Sequence, residues 1–118
     1  HPSLAPLVPL YAGLGLALER SGKLEPAKQA IQKALAIRPN TAEFLNSLGS
    51  VYARLGDHAQ AVTVFERAVT LRPNYPVARF NLAEAYEQVN ARRAIAAALR
   101  LSTAATAAAR ASRRRARS

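Results

Sequence analysis

Residues 42–75 read AEFLNSLGSVYARLGDHAQAVTVFERAVTLRPNY, and this stretch decides the fold. The large apolar residues of its first half are Leu45, Leu48, Tyr52 and Leu55. Their spacings of three, four and three place them on one face of an amphipathic helix. Just upstream, Asn40 followed by Glu43 has the spacing of a capping box. The stretch therefore begins with a capped helix that has one apolar side.

The second half predicts another helix that runs back along the first. Gly56 follows the first apolar face, and glycine readily adopts the left-handed conformation that ends a helix. Asp57 then opens the second helix, whose apolar side includes Ala61 and Phe65. Pro73 ends it, because proline disfavours helical geometry in the residue before it. The unit is a helix, a tight turn and an antiparallel helix.

The same residue types return every 34 positions along the chain. The repeated residues are Leu14, Leu48 and Leu82; Gly22 and Gly56; Ala27 and Ala61; Ala34 and Ala68; and Pro39-Asn40 and Pro73-Asn74. A fixed period of this length indicates stacked copies of one supersecondary unit. We therefore predict an all-α solenoid of helix-turn-helix repeats, a fold that presents an extended binding surface.

Two glycines lie inside predicted helices at the same place in successive copies. Gly49 weakens its helix by about 0.8–1 kcal/mol relative to alanine, and Gly15 has the same effect one copy earlier. Helix axes lie about 8–10 Å apart depending on the side chains between them. The recurrence predicts that close contact between the two helices outweighs the lost helix propensity.

These residues resemble the tetratricopeptide repeat, a 34-residue helix-turn-helix unit. The second copy matches the family pattern at Leu45, Leu48, Gly49, Tyr52, Ala61, Phe65, Ala68 and Pro73. The first copy matches it at Tyr11, Leu14, Gly15, Leu18, Ala27, Ile31, Ala34 and Pro39. The resemblance implies about two and a half units and a function in protein–protein interaction.

The predicted organisation has five segments. An extended linker occupies 1–7, repeat units occupy 8–41 and 42–75, a degenerate third unit occupies 76–102, and a disordered Ala/Arg-rich basic tail occupies 103–118. The third unit departs from the pattern because Arg79 stands where a large apolar residue belongs. Its turn, predicted at 89–91, lacks glycine. Ala98 stands where the pattern has an aromatic residue, so we expect the second helix to dock weakly and fray.

In this family the first helices of the units line a concave groove that holds peptides, and the resemblance implies the same here. The candidate contact residues are Leu16, Arg20, Asn46, Ser50, Arg54, Phe80, Asn81, Glu84 and Glu87. Phe80 and Leu16 are the informative members, since a solvated face has little reason to carry large apolar groups. The alternative is that Phe80 packs under the neighbouring helix to compensate for Arg79.

The candidate groove carries charges of both signs, which predicts a peptide ligand with charges of both signs. A lysine and asparagine clamp for a terminal carboxylate, found in some members of the family, is not matched. The corresponding positions hold Ala12, Leu16, Ser47, Val77 and Asn81, and none of them is lysine. The asparagine ladder of the O-linked N-acetylglucosamine transferase array is matched only at Asn81.

The net charge of +10 belongs mainly to the end of the chain. Residues 1–90 hold nine Lys/Arg and seven acids, a net of +2, whereas residues 91–118 hold eight arginines and no acid. An alternative function is therefore phosphate binding by a nucleic-acid-associated protein through the tail, or contact with an anionic membrane surface. The candidate arginines are Arg110, Arg113, Arg114, Arg115 and Arg117. A basic terminus without a partner and a reading-frame slip are the other interpretations.

Catalysis has little support in the sequence. The chain has no cysteine, and His58 is the only histidine besides His1, so neither a thiol catalyst nor a cluster of metal ligands is predicted. We expect a non-catalytic protein without a cofactor, or else the targeting module of a larger enzyme. The uncharged stretch 4–18 has the length of a signal-peptide core, but its prolines and its register with the repeats favour a helix of the first unit. It is too short to span a membrane.

Overall fold

The computed structural model describes residues 3–117, and every regular element among them is an α-helix. The helices are α1 (Leu7–Arg20), α2 (Leu24–Ile37), α3 (Ala42–Arg54), α4 (His58–Leu71) and α5 (Pro76–Arg117). They divide into two compact units, one ending at Tyr86 and the other beginning at Glu87. The prediction of an all-α helix-turn-helix repeat is confirmed, with α1–α2 and α3–α4 as the two hairpins. His1, Pro2 and Ser118, which belong to the predicted linker and tail, lie outside the described residues.

The two hairpin turns have the same construction 34 residues apart. Gly22 has φ 77° and Gly56 has φ 83°, the left-handed region in which glycine carries no steric penalty. In the first turn the backbone N–H of Lys23 donates to the carbonyl of Leu18 at 2.9 Å. Asp57 begins α4 as its N-cap, because its Oδ1 accepts a hydrogen bond from the N–H of Gln60 at 3.3 Å. The turn chemistry predicted from the sequence is therefore present in the structure.

The start of α3 differs from the predicted capping box. The N-cap is Thr41, so Asn40 lies one position too early for its side chain to accept from the first turn. The Thr41 hydroxyl donates instead to the carbonyl of Arg38 at 3.0 Å. The Glu43 carboxylate pairs with the guanidinium of Arg72. The acid that was expected to cap its own helix thus links α3 to the segment after α4.

The core forms where the helices approach closely. Leu45, Val51 and Phe65 are the largest fully buried side chains in the described part of the chain. A Cβ built on Gly49 would lie 2.4 Å from Cε1 of Phe65, far inside van der Waals contact. A Cβ on Gly15 would lie 2.6 Å from Cγ1 of Ile31. The two repeated glycines are therefore required by helix–helix contact, as their recurrence predicted.

Residues 76–86 of α5 pack as the first helix of a third repeat. Ala78 belongs to the main core cluster, and Ala85 packs against Ala61 and Phe65 of α4. Arg79 is exposed to solvent. Residues 76–86 therefore pack against α4 through small apolar side chains.

The remainder of α5 corrects two sequence predictions. No turn forms at 89–91, and residues 103–117, predicted to be disordered, are helical. The reason is local, because residues 87–117 contain neither glycine nor proline and are rich in alanine, the strongest helix former. The large apolar side chains in this segment, Ile95, Leu99 and Leu101, are exposed. None of the helices described between residues 3 and 117 combines the length and hydropathy that a bilayer crossing requires.

One apolar face that the sequence predicted to be buried is open. Leu48 is 5% exposed because α2 packs against α3, whereas Leu14, its counterpart in α1, is 48% exposed. No helix precedes α1 within residues 3–117 to cover this side of it. The repeat pattern thus predicts which face is apolar, but its burial depends on a neighbouring helix.

We predict that the same substitution at these two leucines has very different effects on stability. Leu48→Ala removes buried methyl groups and should lower the free energy of unfolding by about 2–5 kcal/mol. Leu14→Ala should change it by less than about 1 kcal/mol, since the side chain is half exposed. Denaturant titration followed by circular dichroism measures both values. Equal losses of unfolding free energy in the two variants would show that the face of α1 around Leu14 is covered in solution.

A second prediction uses two glycines as a matched pair. Gly13→Ala should stabilise the protein by about 0.8–1 kcal/mol through helix propensity, because nothing lies within 4 Å of the added Cβ. Gly49→Ala should destabilise it, because the buried Phe65 ring occupies the space that the methyl group needs. Thermal unfolding should therefore shift in opposite directions for the two variants, and an increase in Tm for both would contradict the close contact.

Candidate partner-binding groove

The candidate groove is formed by one side of α1, of α3 and of the start of α5. It carries two sets of three residues, and within each set successive members are 34 positions apart. The first set is Ala12, Asn46 and Phe80; the second is Leu16, Ser50 and Glu84. All six side chains are exposed or half-buried. The character of the groove changes along it, from apolar on α1 through polar on α3 to aromatic and acidic on α5. One continuous surface therefore offers chemically distinct positions.

A depression of about 250 Å³ lies between α1 and α3. Its lining residues are Ala12, Gly13, Leu16, Ile31, Glu43, Phe44 and Ser47. Ile31, which comes from α2, is 3% exposed, whereas Leu16 is 45% exposed. Pockets for drug-sized ligands measure roughly 300–1,000 Å³, so this depression suits a single apolar side chain rather than a whole small molecule.

Two asparagines join α3 to α5 in the middle of the groove. Nδ2 of Asn81 donates a hydrogen bond to Oδ1 of Asn46 at 3.1 Å, and the contact is partly buried. Each amide has two donors and a carbonyl that accepts two hydrogen bonds. The pair therefore leaves the amino group of Asn46 and the carbonyl of Asn81 outside this contact. Both are groups that pair with a peptide backbone.

The α5 part of the groove is open to solvent. Phe80 is 63% exposed, and Val77, one turn earlier, is also exposed. The alternative that Phe80 packs under the neighbouring helix is therefore wrong. Glu84 is exposed one turn further along α5. Glu87 is exposed as well and belongs to the second compact unit.

Arg54 has a structural role that the sequence did not reveal. Its Nη1 donates to the backbone carbonyl of Glu19 at 2.8 Å and lies 3.6 Å from the carboxylate of the same residue. A cation at the end of a helix satisfies unpaired carbonyls and interacts favourably with the helix dipole. Arg54 therefore connects α3 to the end of α1, and the carboxylate of Glu19 partly compensates its charge. Arg20 remains exposed and supplies positive charge at this end of the groove.

Glu43, at the rim of the depression, was not among the predicted contacts. The pKa of its carboxyl is lowered, first by a hydrogen bond from its own backbone N–H and then by the paired Arg72. Glu43 is therefore ionised at neutral pH, and its charge is neutralised by Arg72. Phe44 also lines the depression and was not predicted either, although it packs against the core cluster one turn before Leu48. The 34-residue period does not find these two residues, because it carries Ala12 onto Asn46 and Leu16 onto Ser50.

Chemistry at the remaining polar groups is limited. Within residues 3–117 no three His, Cys, Asp or Glu side chains converge as a metal site would require. Nδ1 of His58 is buried without a hydrogen-bond partner at the first turn of α4. The Tyr86 hydroxyl donates to the Glu66 carboxylate, and this hydrogen bond raises the pKa of Tyr86. These groups do not form an acid–base pair around a shared pocket.

Comparison with known proteins gives the same repeat. A tetratricopeptide repeat family model matches residues 13–76, more than half of the chain. Anaphase-promoting complex subunit 3 of Schizosaccharomyces pombe is 31% identical over 74 residues, which are 63% of this chain and 11% of that protein. The chain thus spans a small part of that relative.

Solved structures agree with this repeat. The crystal structure of MamA superposes with a TM-score of 0.68 at 28% identity, covering 73% of this chain and 50% of that one. The first tetratricopeptide domain of RPAP3 (Spaghetti), solved with the HSP90 peptide SRMEEVD bound, gives a TM-score of 0.68 at 22% identity. It covers 70% of this chain and 65% of that one, and at this identity it supports the fold alone.

The 34-residue period, the paired helices with a left-handed glycine between them, and the match over residues 13–76 agree with one another. Tetratricopeptide repeats generally mediate protein–protein interactions. The chain belongs to the tetratricopeptide repeat family.

Proposed function

We propose that this protein binds a partner protein by holding an extended segment of it along the groove of α1, α3 and the start of α5. The depression between α1 and α3 is the observation that carries this proposal. Leu16 stays 45% exposed beside the buried Ile31, although it is a large apolar residue. Covering such a side chain gains about 25 cal/mol for each Å² removed from water. An apolar side chain of the partner is the natural occupant of this space.

The two asparagines support an extended ligand rather than a folded one. Asn46 and Asn81 hold each other in a fixed orientation through their 3.1 Å hydrogen bond. A side-chain amide that is already oriented loses less conformational entropy when it binds. Its free donor and acceptor groups match the alternating N–H and C=O groups of an extended backbone. We therefore place the ligand backbone across this pair.

The exposed charges favour a ligand with charges of both signs. Arg20 is exposed near the end of α1, and Glu84 is exposed on α5 beside Phe80. Since Arg54 is engaged with Glu19 and Glu43 with Arg72, these two exposed charges make the main electrostatic contribution. We propose an acidic residue of the ligand near Arg20, and a basic residue near Glu84. Phe80 adds a ring face on which a basic side chain can stack.

We predict that display selection of random ten-residue peptides on the 118-residue chain enriches sequences with one aliphatic or aromatic residue. Leu16→Glu should weaken binding of a selected peptide at least tenfold, about 1.4 kcal/mol, because it places a carboxylate in the apolar depression. Phe80→Ala should weaken it severalfold. Fluorescence anisotropy with the labelled peptide measures these affinities.

Leu10→Glu is the matched control. Leu10 lies on the same helix and is 62% exposed, but it does not line the depression. This change should alter the affinity less than twofold. The peptide SRMEEVD should bind weakly or not at all, because none of the clamp positions of the groove holds lysine. Equal losses from Leu10→Glu and Leu16→Glu, or a selection that enriches no peptide, would overturn the proposed site.

A further inference from the structure

The second compact unit carries most of the charge of the protein on one helix. From Glu87 onward the chain holds eight arginines and a single acid, which is Glu87 itself. All eight arginines are exposed to solvent. The tetratricopeptide groove does not account for this charge. A basic segment of this density, with no acid after Glu87, attracts polyanions.

The unbroken helix arranges these arginines on one side. At 100° per residue, seven of the eight fall within about half of the circumference. Arg92 and Arg110 are 18 residues apart, which is five full turns, so they point in the same direction about 27 Å apart along the axis. Arg113 and Arg117 continue this row at the end of the helix. A disordered tail of the same composition would have no such row.

The opposite half of the helix consists mainly of alanine. Ala94, Ala98 and Ala105 lie there, and Leu101 is the only large apolar side chain among them. Helices that lie in a membrane surface carry large residues such as Trp, Phe and Leu on their apolar side. The alanine face buries too little apolar area for this role. The charge pattern therefore favours a water-soluble polyanion over a lipid surface.

Nucleic acid is the polyanion whose geometry fits. Duplex DNA carries one negative charge for each roughly 1.7 Å of its axis, and its major groove, about 12 Å wide, admits an α-helix. Binding to single strands relies on aromatic side chains that stack on bases, and residues 87–117 contain none. We propose that the arginine helix, residues 87–117, binds the phosphates of duplex DNA without regard to sequence.

Repulsion between arginine side chains near the end of α5 supports the same inference. Arg113 lies three residues after Arg110 and four residues before Arg117, the separations at which side chains on a helix are neighbours. Like charges at these separations destabilise a helix, although the positions near its C-terminus are favourable for cations. No acid lies between residues 91 and 117 to neutralise them. A row of phosphates would relieve this repulsion.

The test measures the affinity of the full chain for a 25-base-pair duplex of random sequence at several salt concentrations. If about six phosphates are neutralised, the affinity should fall about 10³-fold between 50 and 200 mM salt. A variant with Arg110, Arg113 and Arg117 each changed to Gln should lose only about 40-fold over this range, because three fewer counterions are released. Changing the same three residues to Lys should preserve the steep dependence.

Controls separate this inference from a general effect of net charge. Changing Lys23, Arg38 and Arg79 to Gln removes three positive charges from the first unit. The salt dependence of this variant should equal that of the unchanged chain within experimental error. Circular dichroism checks that the helix content of every variant is unchanged, which is expected since Gln and Arg have similar helix propensities. An unchanged salt dependence in the tail variant would overturn the proposal. So would equal or tighter binding to a single strand of the same length, or to vesicles containing phosphatidylserine.

Discussion

The contact between the Phe65 ring and Gly49 sets the distance between the two helices of the second repeat. No side chain larger than hydrogen fits at Gly49, since a Cβ there would lie 2.4 Å from the ring. Ile31 and Gly15 make the equivalent contact one repeat earlier. Because a packed core transmits strain, a change in this spacing would displace α3 relative to its neighbours. The rest of the first unit depends on these two close approaches.

The groove follows from this spacing. With α1 held against α2 by Gly15, Ile31 reaches the base of the depression between α1 and α3, and Leu16 lies at its side. The hydrogen bond from Asn81 to Asn46 then holds the start of α5, up to Tyr86, beside α3. Arg54 performs the same task at the other junction by holding the end of α1. Residues that look like free contact positions in the sequence therefore also connect one repeat to the next.

Much of this structure could be predicted from the sequence because it is local or periodic. The 34-residue period predicts the paired helices and the left-handed turns at Gly22 and Gly56. It also predicts the close helix contacts at Gly15 and Gly49. The exposure of Leu14 could not be predicted, since burial depends on which helix lies alongside. The unbroken α5 was missed because the repeat pattern suggested a turn where alanine-rich sequence favours continued helix. The role of Arg54 depends on a carbonyl 35 residues away, and a linear pattern carries no such information.

Binding of a peptide in the groove is tested most directly by following the protein by nuclear magnetic resonance while a selected peptide is added. If the groove holds the peptide, we expect the side-chain amide signals of Asn46 and Asn81 and the backbone signals of Gly13 and Phe44 to shift together with one affinity. The backbone signals of residues 91–117 should remain in place. Shifts confined to the open face of α1 around Leu14, or to the arginine helix, with the two asparagine side chains unchanged, would contradict binding in the groove.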